Sequence, residues 1–140
     1  MLWIVLAVVL LAIPKMRKCG MAVAVSLCIE VLLCNVILKN AVGRIRPCDV
    51  NTSIRLLVPR PADFSFPSGH TASSFAAAAA LYFSGMKTLW KPALAVAVII
   101  AFSRMYLYVH YPTDILGGIV IGVLSGYIGK YIMQYHRKQS

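Results

Sequence analysis

The chain has 140 residues, 60% of them hydrophobic and only 13% charged, with a mean hydropathy of +0.79. A soluble domain carries about 25% charged residues, and half that share leaves large apolar patches in water, which argues against a soluble enzyme, a disordered region or a fibre. Fourteen Lys and Arg against four Asp and Glu give a net charge of +10, but the basic residues sit between apolar runs and not on one dense face, so membrane topology explains them and a nucleic-acid partner is not expected.

Five apolar runs follow one another, at about 1–13, 21–38, 70–86, 92–108 and 115–133. A bilayer core of roughly 30 Å needs about 20 helical residues, which the last four approach with modest tilt or help from their flanks. The first is short and ends at Pro14. It has no basic stretch before it and is followed by Lys15, Arg17 and Lys18, so it reads as a span and not as a cleaved signal. The expectation is an all-α, polytopic transmembrane bundle of about five spans, forming one domain over 1–140.

Alternation places Lys15, Arg17, Lys18, Lys87, Lys91, Lys130, Arg137 and Lys138 on one side with no acid. The other side holds Lys39, Arg44, Arg46, Arg55, Arg60 and Arg104 with Asp49, Asp63 and Asp114. The positive-inside rule makes the first side cytoplasmic, with the N-terminus outside and the C-terminus inside. Trp90, Tyr131 and Tyr135 then mark the inner interface and Tyr106, Tyr108 and Tyr111 the outer one. Six positive charges on the face where topology disfavours them need another reason.

Three segments on that face supply one. Lys39 closes the second run and Arg46 follows seven residues later, before Pro47. They are either snorkelling anchors or a cation pair for an anionic headgroup, with Arg offering a planar fork and Lys a point charge. In Phe66-Pro67-Ser68-Gly69-His70-Thr71 a loop enters a helix, with Ser68 suited to the N-cap. Gly69 lets a ligand approach the first amides, which have no internal partners and bind anions. In Ser103-Arg104 and His110-Tyr111-Pro112-Thr113-Asp114, Pro112 suits a first helical turn. Asp114 stands four residues after His110, near enough to fix its tautomer, and Arg104 is an ionisable group at membrane depth. Together these residues predict one phosphate pocket on the outer face.

Lys39-x6-Arg46-Pro47, Pro67-Ser68-Gly69-His70 and Ser103-Arg104-x5-His110-x3-Asp114 resemble, in order, the three signature motifs of the type 2 phosphatidic acid phosphatase (PAP2) family, and bracket a motif core at 39–114. The resemblance implies a lipid phosphatase that works without a metal or other cofactor. On it His110 is the nucleophile of a phosphohistidine intermediate, oriented by Asp114, and His70 is the general acid. Lys39, Arg46 and Arg104 are the phosphate-binding cations, and Ser68 and the Gly69 amide complete the cradle. The implied substrates are undecaprenyl pyrophosphate, phosphatidylglycerol phosphate or phosphatidic acid. Many members have six spans against five here, so an upstream helix is missing or the fold dispenses with it. Haloperoxidases that share the motifs are soluble, unlike this chain. A lipid phosphotransferase and a non-enzymatic transporter of anionic lipids are the alternatives.

Other residues read as structural. Glu30, alone in the second run, is either a proton relay or, on the structural reading, protonated or bonded to a neighbouring span. Gly118, Gly122 and Gly126 form a close-packing stripe, either inside the bundle or between two subunits of a homodimer. His136 lies in a basic tail, and Arg44, Arg55 and Arg60 are headgroup contacts or surface charge. Cys19, Cys28, Cys34 and Cys48 show no CxxC and no zinc-like pairing with histidine, so neither disulfide nor metal site is expected.

Overall fold

The computed structural model describes residues 1–139, with side chains as far as Tyr135, so the side chains of His136, Arg137 and Lys138 lie outside the described residues. Helices make up the fold and no strand occurs among the described residues. Helix α1 (Leu2–Ala12) stops at Ile13, whose extended backbone leads into a 3₁₀ turn at Pro14–Met16. Helix α2 (Arg17–Val31) turns back beside α1, and Gly20 makes the hairpin tight: a Cβ there would lie 2.7 Å from the Leu11 backbone nitrogen.

Beyond Val31 the helix continues as a π-helix over Leu32–Leu38 and then as one α turn, α3 (Lys39–Val42), which ends at Gly43 in the left-handed conformation. The π segment re-aims the chain beyond it. Nine residues of α-helix at 100° each would leave Glu30 and Lys39 on opposite faces, about 180° apart. The wider i→i+5 turns unwind that difference, and both residues border one cavity. A single turn, α4 (Pro47–Val50), interrupts the otherwise irregular connection to Ser68, in keeping with the prolines along it.

Helix α5 (Gly69–Phe83) is the central element and packs against α2, α6 (Trp90–Tyr106) and α7 (Pro112–Gln139). Its alanines explain this. Ala76, Ala77, Ala78 and Ala80 are all buried, and small side chains let three neighbours approach at once. The Trp3 indole N–H donates to Ser74 Oγ at 2.8 Å and fastens α1 to the same helix.

The glycine stripe of α7 lies inside the bundle. A Cβ on Gly118 would sit 2.8 Å from the Ser68 carbonyl oxygen, one on Gly122 2.9 Å from Phe75 Cβ, and one on Gly126 2.6 Å from Ala79 Cβ. Helix α5 thus occupies the face of the stripe, the first of the two placements its spacing allowed. Gly126→Val is expected to lower the melting temperature in detergent by several degrees, because overpacking against a rigid neighbour costs about 1–3 kcal/mol. An unchanged melting temperature would contradict this packing.

Two segments are long and apolar enough to cross a membrane, Pro14–Val50 and Pro112–Tyr135, while Leu2–Ala12 is shorter. Helices α5 and α6, at 15 and 17 residues, reach about 22–26 Å at 1.5 Å per residue. Each ends before its apolar run does: Gly85, at φ +76°, follows the end of α5, and Tyr108, at φ +58°, follows that of α6. Ile99, Phe102, Leu116, Val120 and Leu124 are exposed on the outside of α6 and α7, the pattern of helices whose solvent is lipid.

Candidate active site

One end of the bundle gathers the polar segments. Lys39 comes from α3, Arg46 from the loop after it, Gly69 and His70 from the first turn of α5, Arg104 from the last turn of α6, and His110 from the loop before α7. All six border one cavity of about 930 Å³, along with Asn35, Asp63 and Ser73. The remaining wall is apolar apart from Glu30 and belongs largely to α1 and α2, including Ile4, Ala7, Val8, Leu27 and Val31. The cavity is thus a charged pocket that opens into a hydrocarbon groove.

Arg46 is 3% exposed and organises the charged end. Its Nε donates to the Asp63 carbonyl at 2.7 Å and its Nη1 to the Val109 carbonyl at 2.8 Å. Nη1 also lies 3.2 Å from His110 Nε2. Guanidinium nitrogens only donate, so His110 Nε2 carries the lone pair and the proton of the neutral ring sits on Nδ1. That nitrogen faces Asp114 Oδ2 at 3.5 Å, too far for a good hydrogen bond. The carboxylate aligns the ring without gripping it.

Asp114 is fully buried and held from three sides. Ser65 Oγ and the Tyr111 amide donate to Oδ2, the latter at 2.9 Å, and Arg44 Nη1 donates to Oδ1 at 2.9 Å. Arg44 also stacks over the Tyr111 ring, 4.0 Å from its centroid. Asp114 therefore ties the loop before α5, the loop before α7 and the stretch after α3 into one frame.

Burial, together with the positive charge of Arg46 beside it, pushes the His110 pKa down, and the Asp114 carboxylate offsets this only in part, leaving it at about 4. The ring is a neutral base at physiological pH. For Asp63, burial raises the pKa, but hydrogen bonds from Lys39 and Arg46 outweigh it and hold the carboxyl at about 2.

Of the eight site residues expected from sequence, six border the cavity and Asp114 stands directly behind His110. Ser68 is the exception. It occupies the N-cap position, yet its side chain makes no capping bond. It is fully buried, its amide donates to the Asp114 carbonyl at 3.1 Å and its Oγ accepts from Thr71 Oγ1 at 3.0 Å. It joins α5 to α7 and does not border the cavity. Gly69 admits the start of α5 to within contact of the π-helix and α3, since a Cβ there would lie 3.1 Å from Asn35 Oδ1 and 3.8 Å from Lys39 Nζ.

Sequence reasoning missed Asp63, whose carboxylate joins Lys39 and Arg46, as well as Ser65 and the part Arg44 plays on Asp114. The acidity of the outer loop was the one available signal. Arg60 pairs with Asp49 at 2.6 Å and lies away from the pocket. Glu30 is 1% exposed, borders the groove, and its Oε1 has no hydrogen-bond partner among the described residues.

Similarity to known proteins agrees with this arrangement. The chain is 32% identical over 120 residues to an undecaprenyl-diphosphatase of Sulfolobus acidocaldarius, covering 86% of this chain and 58% of that protein. It is 33% identical over 108 residues to phosphatidylglycerophosphatase B of Bacillus subtilis, covering 70% and 50% respectively. The chain thus spans about half the length of these curated relatives. The crystal structure of a transmembrane PAP2 type phosphatidylglycerolphosphate phosphatase from Bacillus subtilis superposes with a TM-score of 0.74 at 27% identity, over 96% of this chain and 68% of that one. The PAP2 superfamily model matches residues 19–138, a stretch that holds all three motifs and every helix that carries them to the cavity, and the chain belongs to that superfamily.

Proposed function

We propose that the protein is an integral membrane phosphatase that hydrolyses a terminal phosphate or pyrophosphate on a lipid, of the undecaprenyl pyrophosphate or phosphatidylglycerol phosphate type. The observation that carries this reading is the form of the cavity: two imidazoles and three cations at one end, an apolar groove between α1 and α2 at the other. Phosphoryl transfer needs positioning and charge neutralisation more than covalent help from the protein, and a lipid needs a path for its tail.

In the first step His110 Nε2 attacks phosphorus. The bond from phosphorus to the leaving oxygen breaks, and that oxygen takes a proton from His70. In the second step a water oxygen bonds to phosphorus as the N–P bond breaks, and His70 recovers a proton from the water. Lys39, Arg46 and Arg104 balance the charge on the equatorial oxygens, the part a metal clamp plays elsewhere, and the reading needs no metal. Asp114 keeps the His110 proton on Nδ1. The same proposal places the pocket on the extracytoplasmic face and the C-terminus in the cytoplasm, with five crossings in one domain over 1–140 and 39–114 as its working core.

The test is phosphate release by the purified protein over a panel of lipid phosphates with EDTA present. Release from an undecaprenyl pyrophosphate or phosphatidylglycerol phosphate substrate is expected, and loss of activity in EDTA would contradict the metal-free step. The pH profile is a second check. A His110 pKa of about 4 keeps the nucleophile competent above that value, so the acid limb is expected near pH 4 and not near 6.5. The alkaline limb arises as His70 loses the proton it must donate. From about pH 5 to 9, kcat/KM is then expected to fall in one descending limb. A flat profile over that range would contradict the acid role of His70.

A further inference from the structure

Every N–H of the Arg46 guanidinium is taken. Besides the bonds to Asp63 O, Val109 O and His110 Nε2, its Nη2 donates to Asp63 Oδ1 at 2.6 Å and to the Phe64 carbonyl at 3.3 Å. Lys39 Nζ, on the other side, donates to Asp63 Oδ2. The two oxygens of one carboxylate thus engage the two innermost cations of the pocket, one each, as two oxygens of a phosphate would. The Asp63 side chain is 52% exposed, whereas the other acceptors of Arg46 are backbone carbonyls and the buried His110. Asp63 is therefore the one partner that can swing away without unfolding the loop.

We propose that Asp63 is the site's internal competing anion: its carboxylate holds the seat between Lys39 and Arg46, and a phosphate group binds by displacing it. This rests on the phosphatase reading and concerns the affinity of the same pocket. A tethered competitor lowers the fraction of sites ready to bind, and so weakens every anion by the same factor. For a singly charged phosphodiester headgroup the exchange gains no charge, so abundant membrane lipids leave the pocket free. A doubly charged terminal phosphate brings a second charge against the same cations. Once inorganic phosphate has formed, the returning carboxylate helps to expel it.

The opposite role, in which Asp63 merely positions the two cations, reverses the sign of the expected effect. Inorganic phosphate binding is measured by calorimetry on the full chain in detergent, for the wild type and Asp63→Asn, with dimethyl phosphate as a singly charged probe. The proposal expects Asp63→Asn to tighten both by roughly tenfold or more and by a similar factor, with stronger product inhibition by phosphate. Weaker or unchanged binding in the variant would overturn it. In the wild type, whose folding does not depend on the substitution, saturating phosphate is expected to speed amide exchange at residues 62–64 as the carboxylate leaves. Slower or unchanged exchange there would overturn it as well. If the wild type hydrolyses lipid phosphates but the variant binds phosphate more weakly, only the competitor role falls; if the wild type releases no phosphate from any lipid, the phosphatase reading falls instead.

Discussion

His110→Ala is expected to lower phosphate release by roughly 10⁴-fold or more while leaving the protein folded. The size of the loss comes from what the ring does. His110 is a neutral base whose lone pair is directed at a cation cage, with Nε2 3.2 Å from Arg46 Nη1. Removing it leaves water to attack a phosphate that is still bound and still neutralised, so binding should persist while kcat collapses. A fall of this size is about 5.5 kcal/mol of transition-state stabilisation. The fold should tolerate the change, because the frame around Asp114 is built by Ser65, Arg44 and the Tyr111 amide and does not depend on the imidazole. Stopped chemistry with intact binding of inorganic phosphate is the expected pair of results. Residual activity above about one per cent of wild type would shift the nucleophile elsewhere.

Asp114→Asn is expected to be the next most damaging change, with kcat down by roughly 10³–10⁴-fold. An amide can turn its NH₂ toward His110 and favour the proton on Nε2, which removes the attacking lone pair. The substitution also weakens the anchor of three segments. Ser65, Arg44 and the Tyr111 amide all donate to this carboxylate, and donors left without a charged acceptor cost about 1–3 kcal/mol. The variant should thus lose thermal stability as well as rate, whereas His110→Ala should lose mainly rate. Equal stability for Asp114→Asn and wild type would contradict the anchoring role of this carboxylate.

The motif residues were legible because their chemistry constrains them locally. Histidines and cations at the borders of apolar runs have few structural excuses, and Pro112 with Asp114 marks a helix start. The rest depends on how distant segments meet. Asp63 and Ser65 lie in a loop whose path is set by the Ser65 amide bonding the Arg44 carbonyl at 2.8 Å and by Arg46 holding the Asp63 and Phe64 carbonyls; nothing in their own spacing reveals it. The setting of Ser68 is hidden for the same reason: it has the residue type of an anion-binding cap, and its amide is bonded to the Asp114 carbonyl. The π-helix at Leu32–Leu38 has no compositional mark, and its effect, turning Lys39 toward the pocket, shows only in three dimensions. The glycine stripe was visible from its period of four, but only the alanines of α5 decide that it faces inward. The apolar runs placed the C-terminal ends of α5 and α6 too late, because hydropathy continues past the residues where Gly85 and Tyr108 leave the helical conformation.

The central claim is that phosphorus is transferred to His110. Rapid quench of the His70→Ala protein with a labelled lipid pyrophosphate, and mass spectrometry under alkaline conditions, test it directly. The lipid monophosphate that leaves from a pyrophosphate is a good leaving group and departs with little help from an acid, whereas the second step in this variant lacks the base that takes a proton from water, so the intermediate accumulates. One phosphoryl group on the peptide containing His110, absent when His110→Ala is added, is the expected result. A phosphoryl group on another residue, or full turnover by the double variant, would contradict the account.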